Sequence, residues 1–214
     1  MPQESNRRIV LASRPPGYPR ADDFRLEVEQ VPRPSEGQVL VRIIWLSLDP
    51  YMRGRMREAE SYAPSLQIGS VMVGGTVGYV IESRTPNFTV GDIVEGGLGW
   101  QEYALSNGVN LRKIDLALGP MSTAIGVLGM PGITAYFGML DIGLPVPGDT
   151  VVVSAAAGAV GQLAGQIARI SGCHVVGIAG TEEKVDFIVH ELRFDQGINY
   201  KTENVPEALA KACP

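Results

Sequence analysis

The run VVVSAAAGAVGQ, Val151 to Gln162, constrains the fold more than any other stretch of the chain. Three valines in a row predict a buried strand, the small residues from Ser154 a tight turn, and Val160 onward the first turns of a helix. A strand that feeds a helix in this way commits the chain to a parallel sheet, because the crossover must return beside the strand it left. Within the turn, Ala156, Gly158 and Gly161 occupy the three small positions of a G-x-G-x-x-G spacing, with alanine in place of the first glycine. Gly158 lets backbone approach a phosphate, Gly161 lets helix pack close on strand, and free N–H groups at Ala159 and Val160 point at an anion. By itself the spacing also fits mere packing of small residues. The strand before it, the helix after it and a second strand-helix unit favour the cradle of a dinucleotide pyrophosphate.

Downstream, the pattern predicts a strand over 151–154, a helix over 160–171, a strand over 174–178, a helix over 182–192, a short strand over 197–200 and a helix over 203–212. Continuous apolar strands alternating with amphipathic helices imply a sheet covered on both faces. Only about two strand-helix pairs follow the first, where a complete dinucleotide fold has roughly twice that. The expectation is a half-sheet with one edge and one helix-facing surface unpaired.

Up to about Gly119 the texture is different. RIVLAS, FRLEVEQV, QVLVRIIWLSL, GGTVGYVIES, GDIVEGG and WQEYALS are short alternating runs broken by Pro and Gly, which predict an antiparallel, barrel-like β domain. Residues 121–140 read as helical, interrupted at Pro131-Gly132. The chain is therefore expected to be α/β with a β-rich part, divided into residues 1–120 and 121–214.

With 45% hydrophobic and 19% charged residues, 214 residues are enough for one large or two modest cores. A net charge of -5 with scattered Lys and Arg argues against a nucleic-acid surface and for a small-molecule partner. Two cysteines, Cys173 and Cys213, and two histidines, His174 and His190, lack metal-ligand spacing, so no metal is expected. Cys173 reads as a small buried thiol. The N-terminus lacks a secretion-signal pattern and no apolar run approaches the ~18 residues of a membrane span, which points to the cytoplasm and away from membranes.

The second strand ends in Gly180, where a site for an unphosphorylated ribose normally has a carboxylate. Glycine leaves room for a 2′-phosphate, and Lys184, one turn into the next helix, can bring an ammonium to it, which favours NADPH. Lys184 reads equally well as a solvated helix residue. Thr181 is a helix cap, and Glu182 and Glu183 complement the helix dipole behind it. Tyr200 either closes over the adenosine or simply packs. In LSLDPYMRGRM, the turn at Asp49-Pro50 can present the Tyr51 phenol and the Arg53 guanidinium to a cleft; local sequence favours hairpin packing and a surface arginine instead. Tyr62 is open in the same way, and the Thr134 hydroxyl can meet either cofactor or backbone.

Together, NRRIVLASRP, DDFRLE, SLDPYMRGRM, VMVGGTVGYVIES, GMPGITAYFG, VVVSAAAGAVGQ, GCHVVGIAGTEEKV and INYK resemble, in order, the zinc-independent branch of the medium-chain dehydrogenase/reductases, which includes prostaglandin reductases, alkenal double-bond reductases and bacterial curcumin reductases. The resemblance implies an N-terminal GroES-like β-barrel domain followed by a Rossmann domain cut short. It implies hydride transfer from NADPH to the β-carbon of an α,β-unsaturated ketone or aldehyde without zinc, by a cytoplasmic homodimer. It places Tyr51 and Tyr62 at the substrate mouth, the 158–161 turn on the pyrophosphate, and Lys184 and Tyr200 at the 2′-phosphate end. Other readings stay open: a non-catalytic NADP(H)-binding short form, or a quinone reductase or alcohol dehydrogenase of the same superfamily.

Overall fold

The computed structural model describes residues 5–59 and 62–213, and the chain divides into two compact units, one running to Ile125 and the other from Gly126. In the first, Ser5–Leu11 (β1) pairs antiparallel with Phe24–Gln30 (β2), Ile9 opposite Leu26. Val39–Leu46 (β3), Thr76–Ser83 (β4), Ile93–Gly96 (β5), Tyr103–Ser106 (β6) and Arg112–Lys113 (β7) form an antiparallel sheet in the order β6-β3-β4-β5-β7. The free edge of β1 is stitched to segments beside this sheet: Ile9 N–H donates to Trp100 O at 2.8 Å and Met72 N–H to Ile9 O at 2.9 Å. Buried Asn6 adds a side-chain rung, its amide bonding both the N–H and the C=O of Tyr103 at 3.0 and 2.9 Å. Val39, Val41, Val80, Phe88 and Val94 make one core, and Leu11, Met52, Met56 and Met72 another.

Four carboxylates of this unit sit below their ordinary range. Ser13 Oγ and Arg20 N–H donate to Asp23, Arg25 and Arg8 to Glu27, Lys113 to Asp92, and Arg7 to Glu102, each favouring the charged form. Because their folded pKa values lie below the unfolded ones, the stability they contribute is present above about pH 4 and is lost as pH falls through the folded values. Thermal melts should be flat from pH 7 to about 5 and fall below about pH 4. In Asp92→Asn, whose charge is already gone, the acid-side fall should be shallower.

The second unit opens with a helix, Met130–Phe137, widening into a π-helical turn over Gly138–Gly143. Met121–Ile125 is a short 3-10 turn packed on β4 and β5. The expected break at Pro131-Gly132 lies instead over 126–129. Pro131 falls in the first turn of the helix, where its missing N–H removes no intrahelical bond.

Thr150–Val153 (β8), His174–Ala179 (β9) and Gln196–Asn199 (β10) are parallel, in the order β10-β9-β8. Tyr51–Arg55 (α1) and Met130–Phe137 (α2) precede the helices that alternate with these strands: Gly161–Ile170 (α3), Glu182–Asp186 (α4) and Val205–Ala212 (α5). Successive residues of β9 go to opposite cores. Val175 packs with Val153, Ala168, Ile188 and Phe194, whereas Val176 packs with Ile198 and Ala212. Both are fully buried, which is why β9 is apolar without alternation.

The outer edge of β8 has no partner strand among the described residues. An apolar hollow lined by Val127, Ile133, Tyr136, Phe137, Ile167 and Ile170 lies along α2 and α3. Cys173 and Cys213 are free, and burial pushes the Cys173 thiol up. Among the described residues, no helix is long and apolar enough to cross a membrane, and no cluster of His, Cys, Asp or Glu could hold a metal ion.

Candidate functional site

The turn from β8 into α3 is built on one unusual residue. Ala155 has φ 48°, a left-handed conformation that costs an L-residue roughly 1 kcal/mol. That kink carries Ala156 back into the sheet, where its N–H donates to Ile178 O at 3.0 Å and its methyl is fully buried. The alanine in the first small position is thus a core residue. Gly158 N–H closes the turn on Ala155 O at 2.8 Å. A Cβ on Gly161 would lie 2.4 Å from Ala155 O, so only glycine lets α3 start this close to the turn. The N–H groups of Ala159, Val160 and Gly161 have no acceptor among the described residues. Gly158, Ala159 and Val160 are exposed. The result is an open cradle of backbone donors, the fit a diphosphate requires.

A second group forms beyond β9 and β10. Thr181 caps α4, its hydroxyl accepting from Lys184 N–H at 3.3 Å. Lys184 is exposed, with no carboxylate within salt-bridge distance among the described residues. Tyr200 N–H donates to Ala179 O at 3.1 Å, and its ring lies over Gly180: a Cβ there would come within 2.7 Å of the phenol oxygen. Gly180 therefore makes room for Tyr200, which is 55% exposed. Since β8, β9 and β10 are parallel, the cradle and this group share the carboxyl edge of one sheet, where open α/β sheets bind ligands.

Glu182 does not merely face the helix dipole. Its Oε1 accepts from Asn199 Nδ2 at 2.6 Å and from Thr202 Oγ1 at 3.3 Å. Neither contact could be found by spacing, since the partners lie on a different strand-loop unit. Thr134, exposed on α2, donates its hydroxyl to Met130 O at 2.7 Å.

In the first unit, Tyr51 opens α1 and packs half-buried against the cluster of Leu11, Met52, Met56 and Met72. Burial first, then the Asp49 carboxylate, push the Tyr51 pKa up; Arg55 opposes them by less, and the Tyr62 phenol adds the smallest push. Tyr62 itself is 86% exposed. Arg53 uses part of its guanidinium on its own chain: Nε and Nη2 donate to Gly17 O at 3.1 and 2.8 Å, and Nη2 to Pro15 O at 2.9 Å, while Nη1 is buried without a partner among the described residues. It is a clamp on the 15–17 loop.

A family described as the N-terminal domain of oxidoreductase matches residues 7–114. The NADPH-dependent curcumin reductase of Escherichia coli (strain K12) is 52% identical over 212 residues, covering 99% of this chain and 61% of that protein. The NADP(+)-dependent 2-alkenal reductase of Nicotiana tabacum is 44% identical over 213 residues, 97% of this chain and 62% of that protein. The crystal structure of CurA in complex with NADPH from Vibrio vulnificus superposes with a TM-score of 0.91 at 51% identity, covering 96% of this chain and 61% of that one. The chain spans about three fifths of the length of these relatives. By its N-terminal domain and these relatives together, the chain belongs to the medium-chain dehydrogenase/reductase family, on the branch that holds the curcumin, prostaglandin and 2-alkenal reductases.

Proposed function

We propose that the whole protein reduces the C=C bond of α,β-unsaturated ketones and aldehydes with NADPH, without zinc, as a cytoplasmic homodimer that acts on small molecules and not on nucleic acid or membranes. Residues 1–120 serve as the GroES-like substrate domain, and residues 121–214 as the first half of the Rossmann domain. The observation that carries the reading is the donor cradle at Ala159, Val160 and Gly161 on the same sheet edge as Gly180, Thr181, Lys184 and Tyr200. Ala156 and Gly158 shape that cradle from beneath. Zinc independence, the compartment and the dimer are carried by the family resemblance alone.

The coenzyme supplies a hydride to the β-carbon of the substrate. The cradle N–H groups neutralise the diphosphate without charged side chains. Lys184 pairs with the 2′-phosphate, and Tyr200 flanks the adenosine. Thr134 keeps its hydroxyl lone pairs available while its proton is held by Met130 O. Negative charge develops on the substrate oxygen as the β-carbon is reduced. A protonated phenol is the donor suited to it, and Tyr51, like any tyrosine whose pKa is not lowered, carries its proton at neutral pH. Tyr51 can also pass a proton toward the α-carbon, which completes the addition of hydride and proton across the double bond.

The test is an enone incubated with the whole protein and NADPH deuterated at C4. Deuterium should appear at the β-carbon, and a chelator should leave the rate unchanged. Tyr51→Phe should lower kcat by about 100-fold with little change in KM. Absence of turnover across several enones and enals would sink the reading.

A further inference from the structure

Three residues past the end of β9, at the first position of α4, Glu182 brings a carboxylate to the edge where the proposed coenzyme site needs none. A carboxylate in such a loop has two opposed uses: it accepts hydrogen bonds from ribose hydroxyls, and it repels a phosphate on the same ribose. Here it is occupied otherwise. Asn199 Nδ2 donates to Glu182 Oε1 at 2.6 Å, a charge-assisted bond, and Thr202 Oγ1 adds a second at 3.3 Å.

Asn199 is well placed to hold it. The residue is 3% exposed and pairs with Ala179 in register, so it is rooted in the sheet beside the loop that carries Gly180 and Thr181. Its Oδ1 accepts from Lys201 N–H at 3.1 Å, which orients the amide so that the NH2 group faces Glu182. Its own backbone N–H donates to Glu203 Oε1 at 2.7 Å. Turning Glu182 outward would leave a buried amide donor unsatisfied, so the anchored arrangement is the favoured one.

We propose that Asn199 is a specificity-determining positioning residue, which by anchoring Glu182 toward β10 keeps that carboxylate from the ribose and so selects the 2′-phosphorylated dinucleotide over the unphosphorylated one. This rests on the coenzyme reading above. The device differs from a site that simply lacks an acidic residue: the acid is present and is held aside by a neighbour. A purely structural brace would make no distinction between ligands.

Asn199→Asp separates the two roles, because it keeps the acceptor for Lys201 and sets a second carboxylate against Glu182. Titration calorimetry with 2′,5′-ADP and 5′-AMP reads discrimination without turnover. The ratio of the two dissociation constants should fall about tenfold in Asn199→Asp, as expected for freeing one charged group. It should return to within about threefold of the original in Asn199→Asp/Glu182→Gln, which restores both the net charge and a donor-acceptor pair. An unchanged ratio in the single variant, or no recovery in the double, overturns the proposal. If circular dichroism shows Asn199→Asp unfolded, the exposed Thr202→Val decides: a fall of about two- to threefold supports the proposal and an unchanged ratio overturns it. Equal affinities in the unaltered protein would sink the coenzyme reading itself and this inference with it, a different result from discrimination that persists in Asn199→Asp.

Discussion

Gly165→Ala should destabilise the second unit by about 3 kcal/mol, although alanine is the better helix former by about 1 kcal/mol. Gly165 lies mid-way along α3, and a Cβ there would fall 1.9 Å from Phe194 Cζ and 2.5 and 2.6 Å from the neighbouring ring atoms. Such a contact is impossible, so something must move. Phe194 is 2% exposed and packed with Ile188 and Val175, its N–H bonded to Ile188 O at 3.0 Å, so its ring has no free path. The helix can retreat only by pulling on the Ala155–Gly161 contact at its own start. Overpacking therefore outweighs propensity. Trimming the ring reverses the sign of the interaction: Phe194→Leu alone should cost about 1–2 kcal/mol, yet Gly165→Ala/Phe194→Leu should be more stable than the sum of the singles by over about 1 kcal/mol. Urea melts of the four proteins measure this. Additivity within about 0.5 kcal/mol would mean that helix and ring do not meet as described.

The same pair marks where sequence reading ran out. β8, α3, β9, β10 and α5 fall within two residues of their expected bounds, because local signals bracket them, Gly172 after α3 and Asn204 before α5; α4 starts on its Thr181 cap as expected but gives way at Phe187–Glu191 to a π-helical turn inside the expected 182–192 helix. Local chemistry is legible locally. Nothing in GQLAGQIARI says that Gly165 faces a phenylalanine 29 positions later, and nothing in DPYMRGR says that Arg53 reaches back to Pro15 and Gly17. Those partners are set by tertiary contact. The left-handed Ala155 was hidden for a different reason: in a run of three alanines, sequence offers no glycine or asparagine to mark the kink. The two-residue strand β7 is too short to show alternation at all. Among the candidate site residues, chain order sufficed to bring Gly180 and Tyr200 to one sheet edge. That the glycine is there to admit the tyrosine ring, and that Glu182 is tied to Asn199, needed coordinates.

Coenzyme preference should invert when the charges beside Gly180 are exchanged. On the proposed reading Lys184 makes one charge-assisted contact with the 2′-phosphate, worth about 1.5–3 kcal/mol, so Lys184→Ala should weaken NADPH binding by about 10- to 100-fold and leave NADH almost untouched. Gly180→Asp adds a carboxylate at the end of β9, which repels the phosphate and can bond both ribose hydroxyls. Any side chain there also displaces Tyr200, whose phenol oxygen lies 2.7 Å from the new Cβ position. Because Tyr200 is 55% exposed it can swing out, and Gly180→Ala isolates that steric effect without charge. The alanine variant should weaken both coenzymes by a similar few-fold factor, about 1 kcal/mol of lost adenosine contact. Gly180→Asp should weaken NADPH and strengthen NADH relative to it. Combined with Lys184→Ala, the aspartate should carry the ratio of affinities past unity, a swing of about 1000-fold or about 4 kcal/mol from two effects of the size given. Fluorescence titration of the reduced coenzymes reads this directly. If the alanine and aspartate variants discriminate alike, the end of β9 does not see the 2′ position; if Lys184→Ala leaves NADPH binding unchanged, Lys184 is only a solvated helix residue.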